Sequence, residues 1–177
     1  LEGRGDPMNP RDIAVAHEKL GDVLVDRREY DAAIAEYAKS LGRREKRYAE
    51  NPNNAEARTD LVASNGKVGN SLLELGKLTD SRSYLDRSYE LALAADAEQP
   101  GDVLARTNRI ISEYRIGRLY AALADEAHKA GKPIDEQKSL MQKGVEVGEG
   151  GLARLRELDA AGKLDQTKNC LLYTSRR

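Results

Sequence analysis

The chain has 177 residues, of which 33% are charged and 40% hydrophobic. This balance allows one folded domain or a short repeat array and excludes wholesale disorder. Its 29 basic and 30 acidic residues give a net charge of −1, which argues against a nucleic-acid-binding arm or a polybasic membrane anchor. No apolar run approaches the roughly 20 residues of a membrane span, and the single cysteine excludes an intramolecular disulfide and a cysteine-rich zinc site.

The two ends of the sequence are not expected to belong to the fold. Residues 1–9 hold no export signal, and we predict a linker or the start of a fragment there. The missing signal and the missing disulfides together predict a cytoplasmic protein. At the other end, residues 161–177 are predicted to be a disordered tail or a cloning or sequencing scar. The reason is that Cys170–Ser175 (CLLYTS) resembles the translation of a transposon-end adaptor used for sequencing libraries, so Cys170 is given no function.

Between these ends the sequence repeats with a period of 48 residues. Gly21, Gly69 and Gly117 are equally spaced, and each lies in a hexapeptide that aligns with the other two without gaps. A cation precedes each glycine by two positions. A fixed period of this kind is the signature of stacked structural repeats, and we predict three of them, at 10–53, 54–101 and 102–150.

Each repeat is predicted to form two helices. The first has apolar residues at steps of three and four, which predict helices at 11–28 and 30–50. The predicted apolar face of the first helix comprises Ile13, Ala16, Leu20 and Leu24. The second repeat predicts helices at 54–75 and 78–98, separated by Gly76. No sustained alternation indicates a strand, so the predicted fold class is all-α.

The third repeat departs from this pattern. Its first helix is predicted at 102–130, seven residues longer than its counterparts, which makes Leu140 the counterpart of Leu85. The glycines at 144, 148, 150 and 151 leave two interpretations of the next stretch. Either this stretch forms one helix that each glycine destabilises by about 1 kcal/mol, or the helix breaks at the glycines and a new one starts after them. The helices predicted at 134–147 and 151–160 follow the second interpretation.

The pattern resembles the tetratricopeptide repeat (TPR) family, in the long-helix form found in bacteria. The family has a small residue where its two helices cross, as at Gly21, Gly69 and Gly117, and the pattern Tyr30, Ala33, Tyr37 suits its second helix. The resemblance implies an α-solenoid of antiparallel helix hairpins with a right-handed superhelix. The residues expected to pack the repeats are Leu20, Gly21, Leu24, Tyr30, Ala33, Tyr37, Gly69, Leu72, Gly117 and Tyr120.

The expected function is non-catalytic protein–protein interaction, with a protein or peptide segment held in a concave groove. The predicted groove residues are Lys19, Asp22, Lys67, Asn70, Tyr114, Arg115 and Arg118. Cations that recur at equal spacing suit the binding of acidic side chains or of a terminal carboxylate. The alternative is that these residues form a solvated surface of salt bridges and bind no partner. No cofactor, metal, nucleic acid or membrane is expected, and His17 and His128 lie in different repeats without neighbouring ligands.

Two other functional hypotheses remain open. In the first, the chain is a regulatory region cut from a larger signalling enzyme, such as a bacterial Ser/Thr kinase whose catalytic domain lies in the same parent chain. Alternatively, the chain associates with itself through the outer face of its first helix, which has no preceding repeat to cover it.

Overall fold

The computed structural model describes residues 9–164, which form six α-helices and no strand. The helices are α1 (Pro10–Asp26), α2 (Tyr30–Glu50), α3 (Ala55–Glu74), α4 (Leu78–Glu98), α5 (Val103–Lys129) and α6 (Ile134–Ala160). The all-α prediction is confirmed, and the first five helices begin and end within two residues of their predicted bounds. The predictions for residues 1–8 and for most of the tail, including Cys170, lie outside the described residues.

Three helices begin at side-chain caps of the same kind, although Asn9 lies 45 residues before Asn54 and Asp102 lies 48 residues after it. The side chains of Asn9, Asn54 and Asp102 accept hydrogen bonds from backbone N–H groups in the first turns of α1, α3 and α5. Such caps satisfy donors that the helix itself leaves without a partner, and each stabilises a helix by about 1 kcal/mol. Consequently, the first helix of each repeat starts at a position fixed by the sequence.

The turn inside each helix pair is also equivalent. It contains a residue in the left-handed region, namely Arg28 (φ 62°), Gly76 (φ 71°) and Gly131 (φ 66°). Glycine adopts this conformation without steric cost, whereas arginine does so rarely. The first turn therefore keeps the backbone shape of the other two with a less suitable residue.

Each helix packs against its neighbours in sequence, and α3 also contacts α5. The hydrophobic interior consists of two clusters. The first joins α2, α3 and α4 through buried residues that include Tyr37, Leu61 and Val68. The second joins α3, α4 and α5 around Leu85 and Leu119. No helix in residues 9–164 is long and apolar enough to cross a membrane.

The three glycines of the repeat all lie where the helices of a pair cross, although their partners differ. A Cβ atom added to Gly21 would overlap the ring of Tyr37, and one added to Gly69 would lie 2.7 Å from Leu85. Opposite Gly117 the nearest atom is the carbonyl oxygen of Gly144. Leu140, predicted as the counterpart of Leu85, is therefore not the residue opposite Gly117. The reason is that α6 lengthens together with α5, which moves the crossing further from the turn.

The predicted break in the sixth helix is also wrong, since α6 is continuous from Ile134 to Ala160. Gly144 lies against Tyr120 and Gly117, and Gly151 lies against Glu113 of α5. These glycines let the two backbones approach closely, and the resulting contacts offset their poor helix propensity. Isolated propensity therefore gives the wrong answer here, because packing decides the outcome.

The buried face of α1 differs from its predicted face. Ala14 and Gly21 are buried, whereas Ala16 and Leu20 are exposed. Leu24 packs against the first cluster as expected of a packing residue, but Leu20 does not. The sequence periodicity marked a real apolar stripe, but no helix among residues 9–164 covers that side of α1.

Candidate functional site

The first helices of the three repeats, α1, α3 and α5, carry all the predicted groove residues, and we call the surface they form the first-helix face. Charged side chains connect these helices. Lys67 of α3 donates to Glu18 (2.9 Å) and to Asp22 of α1. Arg118 of α5 donates to Asn70 (2.7 Å) and ion-pairs with Glu74 (2.7 Å), both on α3. Lys67 and Arg118 therefore bridge neighbouring first helices within the chain.

The group around Lys67 reaches into the interior. Arg44 of α2 ion-pairs with Glu18 and donates to Ser64 of α3 (2.6 Å), while the Tyr37 hydroxyl donates to Asp22 (2.9 Å). Burial alone would raise the pKa of Glu18, but Lys67 and Arg44 outweigh it and hold that pKa below its usual value. Burial and the adjacent Asp22 carboxylate raise the pKa of Tyr37.

These interactions give Lys67 and Asp22 a structural role that the sequence analysis did not assign to them. Each is largely buried, and together they tie α1 to α3 through charge-assisted hydrogen bonds. Tyr37, expected only to pack, also orients Asp22 through its hydroxyl. No local sequence signal pointed to Arg44, because its partners are distant in sequence.

Arg115 is the third of the cations that precede the repeat glycines, but its surroundings differ from those of Lys67. Its guanidinium packs onto the backbone of α3 at Gly66, so closely that a Cβ atom there would overlap Nη1. It forms no hydrogen bond or ion pair with any residue in 9–164. Burial lowers the pKa of Arg115 to about 10, and the nearby Arg118 adds to the effect.

The remaining residues of the first-helix face are more exposed. The Tyr114 ring is half exposed, and the Arg118 guanidinium carbon lies 6.0 Å from its centre. Lys19 is exposed and lies 3.5 Å from Asp22 on its own helix. Around Arg115 the surface thus offers the Tyr114 ring beside Arg118, whose charge is paired with Glu74.

A second polar cluster, between α4, α5 and α6, was missed by the sequence analysis. Buried Asp96 ion-pairs with Arg106 (2.6 Å) and Arg109 (2.9 Å). Buried Glu113 ion-pairs with Arg109 (3.1 Å) and Arg154 (2.9 Å). Arg106 and Arg109 together hold the pKa of Asp96 below its usual value although burial opposes this. These ion pairs fasten the last hairpin to α4, although Glu113 Oε2 is buried without a hydrogen-bond partner among residues 9–164.

Residues 9–164 contain no group of three His, Cys, Asp or Glu side chains able to hold a metal ion. His17 pairs with Glu36 (2.7 Å), and His128 lies 3.2 Å from Gln137. A shallow cleft of about 370 Å³ near the starts of α3 and α5 is lined partly by residues that pair with one another, such as Arg11 with Glu56. Comparisons with family models, curated proteins and solved structures find no match to this chain.

Proposed function

We propose that the protein is a non-catalytic interaction module, a TPR-like solenoid that binds an acidic peptide or protein segment along the first-helix face. The fixed period of 48 residues, the left-handed residue in each turn and the glycines at the crossings support a repeat architecture. In such an architecture the first helices line the concave side, which suits an extended segment.

The observation that carries this proposal is the unpaired state of Arg115 among the described residues. Withdrawing a cation from water without a counter-charge is costly, so such groups are uncommon unless they act on something else. A carboxylate from a bound segment would supply the missing charge. The neighbouring Tyr114 ring would give that segment an apolar contact.

Lys67 does not serve as an anchor in this proposal, because Glu18 and Asp22 already neutralise it. A charge reversal at Lys67 would place three carboxylates together and disturb the packing of α1 on α3. Loss of binding in such a variant would therefore not identify a groove. The decisive position is Arg115, whose replacement breaks no ion pair within residues 9–164.

The experiment selects random peptides displayed on phage against the wild-type chain and measures the affinity of the selected peptides for variants. Acidic sequences are expected to be enriched. Arg115→Gln is expected to weaken their binding by about 10- to 100-fold, the worth of a hydrogen bond to a charged group. The matched control is Arg87→Gln, which removes an exposed arginine paired within α4 with Glu90 (3.5 Å).

Binding by Arg87→Gln should equal that of the wild type. Failure to enrich any acidic peptide would refute the proposal. Equal binding by wild type and Arg115→Gln would do the same, provided that circular dichroism shows the same helix content for both.

A further inference from the structure

The outer face of α1 differs from the equivalent faces of the other two first helices. Leu20 and Val23 are each 48% exposed, and Ala16 is also exposed. The residues at the same repeat positions in the other helices are all at most 3% exposed; they are Ser64, Val68 and Ser71 in α3 and Ser112, Ile116 and Leu119 in α5. The sequence keeps this face suited to burial in all three repeats, but only two of the faces are covered within residues 9–164.

The structure shows what covers the two buried faces. In each case the second helix of the preceding pair does so, since α2 packs on α3 and α4 packs on α5. In α2, Leu41 follows the buried Ser40 and joins a cluster with residues of α3. In α4, Tyr89 follows the buried Ser88 and packs against the cluster that includes Leu119 of α5.

The last helix has the same arrangement, but no helix follows it within residues 9–164. Gly151 faces the Ile110 carbonyl oxygen of α5 as Ser88 faces that of Val62 in α3, so Leu152, which follows Gly151, corresponds to Leu41 and Tyr89. Val145 lies seven residues before Leu152, two helical turns away on the same side of α6. Successive residues lie about 100° apart around a helix, so both side chains project on the side where α2 and α4 meet their successors. The exposed apolar side chains of α6 form one stripe: Ile134, Met141, Val145 and Leu152, each 46–60% exposed.

The two uncovered faces therefore correspond to the two halves of the junction that occurs twice inside the chain. We infer that α6 of one copy docks on the outer face of α1 of a second copy, which repeats the α2–α3 and α4–α5 junctions between molecules. A contact of this kind joins two different surfaces, so it leaves one free face at each end and allows further copies to add. Association is consequently head-to-tail and increases with concentration.

The test uses the full chain in sedimentation velocity over a wide concentration range, with a reductant so that Cys170 does not cross-link copies. One variant carries Leu20→Glu with Val23→Glu, and the other carries Met141→Glu with Val145→Glu. The wild type is expected to increase in average mass with concentration, whereas each variant alone sediments as a single chain. An equimolar mixture of the two variants should form a dimer and nothing larger, because each still has one intact face.

The matched control is Leu104→Glu, which alters an equally exposed leucine (48%) away from both faces and should associate like the wild type. Circular dichroism establishes that all variants keep their helix content. A wild type that remains a single chain at every concentration would overturn the inference, as would a mixture that forms no dimer. Dimers of the α6 variant alone would indicate pairing of two α1 faces and would overturn it as well.

Discussion

Replacing the repeat glycines by alanine distinguishes positions that look identical in sequence. In Gly69→Ala the new Cβ atom would lie 2.7 Å from two side-chain carbons of Leu85 and 3.2 Å from its backbone nitrogen. Leu85 is almost fully buried, and its backbone belongs to α4, so neither group moves without disturbing the core. In Gly117→Ala the nearest atom is the Gly144 carbonyl oxygen at 3.5 Å, an ordinary contact distance.

The two substitutions are therefore expected to change stability in opposite directions. Alanine gains about 1 kcal/mol over glycine inside a helix, and this gain should be realised in Gly117→Ala. Overpacking costs about 1–3 kcal/mol, so the stability of Gly69→Ala should fall by up to about 2 kcal/mol once the propensity gain is included. Because the propensity gain is common to both variants, the expected difference between them is the overpacking cost of about 1–3 kcal/mol.

Urea unfolding followed by far-ultraviolet circular dichroism measures both free energies of unfolding. Gly42→Ala provides a reference for propensity alone, because no atom lies within 4 Å of the added Cβ. Equal effects of Gly69→Ala and Gly117→Ala would show that the crossings do not have the described geometry.

Three further substitutions test other features. Arg115→Met should raise the free energy of unfolding by about 1–3 kcal/mol. The reason is that the pKa of Arg115, lowered to about 10 by burial, reflects a desolvation penalty on the charged guanidinium that is fully present at neutral pH. Urea unfolding measures this change, and a large decrease in the free energy of unfolding would contradict it. The lowered pKa of Glu18 stabilises the native state above pH 4.5, and this contribution is lost as the pH falls below that value. Glu18→Gln should lower the free energy of unfolding by about 3 kcal/mol at pH 7, and its stability should fall less steeply than that of the wild type as the pH is lowered. If the free energies of unfolding of variant and wild type change in parallel with pH, Glu18 does not have this role. Arg28→Gly should raise the free energy of unfolding by about 1 kcal/mol, because glycine adopts the left-handed conformation of this position without steric strain. An unchanged or lower melting temperature would refute this.

Much of the fold could be predicted because the repeat consists of residue types whose effects on the backbone are local. Glycines at the crossings, apolar side chains at helical spacing and breaks near Gly76 and Gly131 located five helices within two residues. These signals depend on neighbours along the chain. Single-sequence periodicity therefore captures them without an alignment.

The rest could not be predicted because it depends on partners distant in sequence. The continuity of α6 follows from contacts between Gly151 and Glu113 of α5, which local propensity does not include. The roles of Lys67 and Arg115 diverge for the same reason, although both occupy one repeat position. Lys67 meets two carboxylates, whereas Arg115 meets the bare backbone of Gly66.

The last hairpin combines extra length with an unusual crossing. Seven additional residues in α5 extend it about 10 Å past the equivalent point of the other hairpins, at a rise of 1.5 Å per residue. Where Tyr37 and Leu85 lie against a glycine in the first two pairs, two glycine backbones meet in the third, and α5 and α6 are also joined there by the ion pairs of Glu113 with Arg154 and of Arg106 with Glu157. The turn at Gly131 therefore projects from a firmly held base, as a short helical arm that the first two hairpins lack.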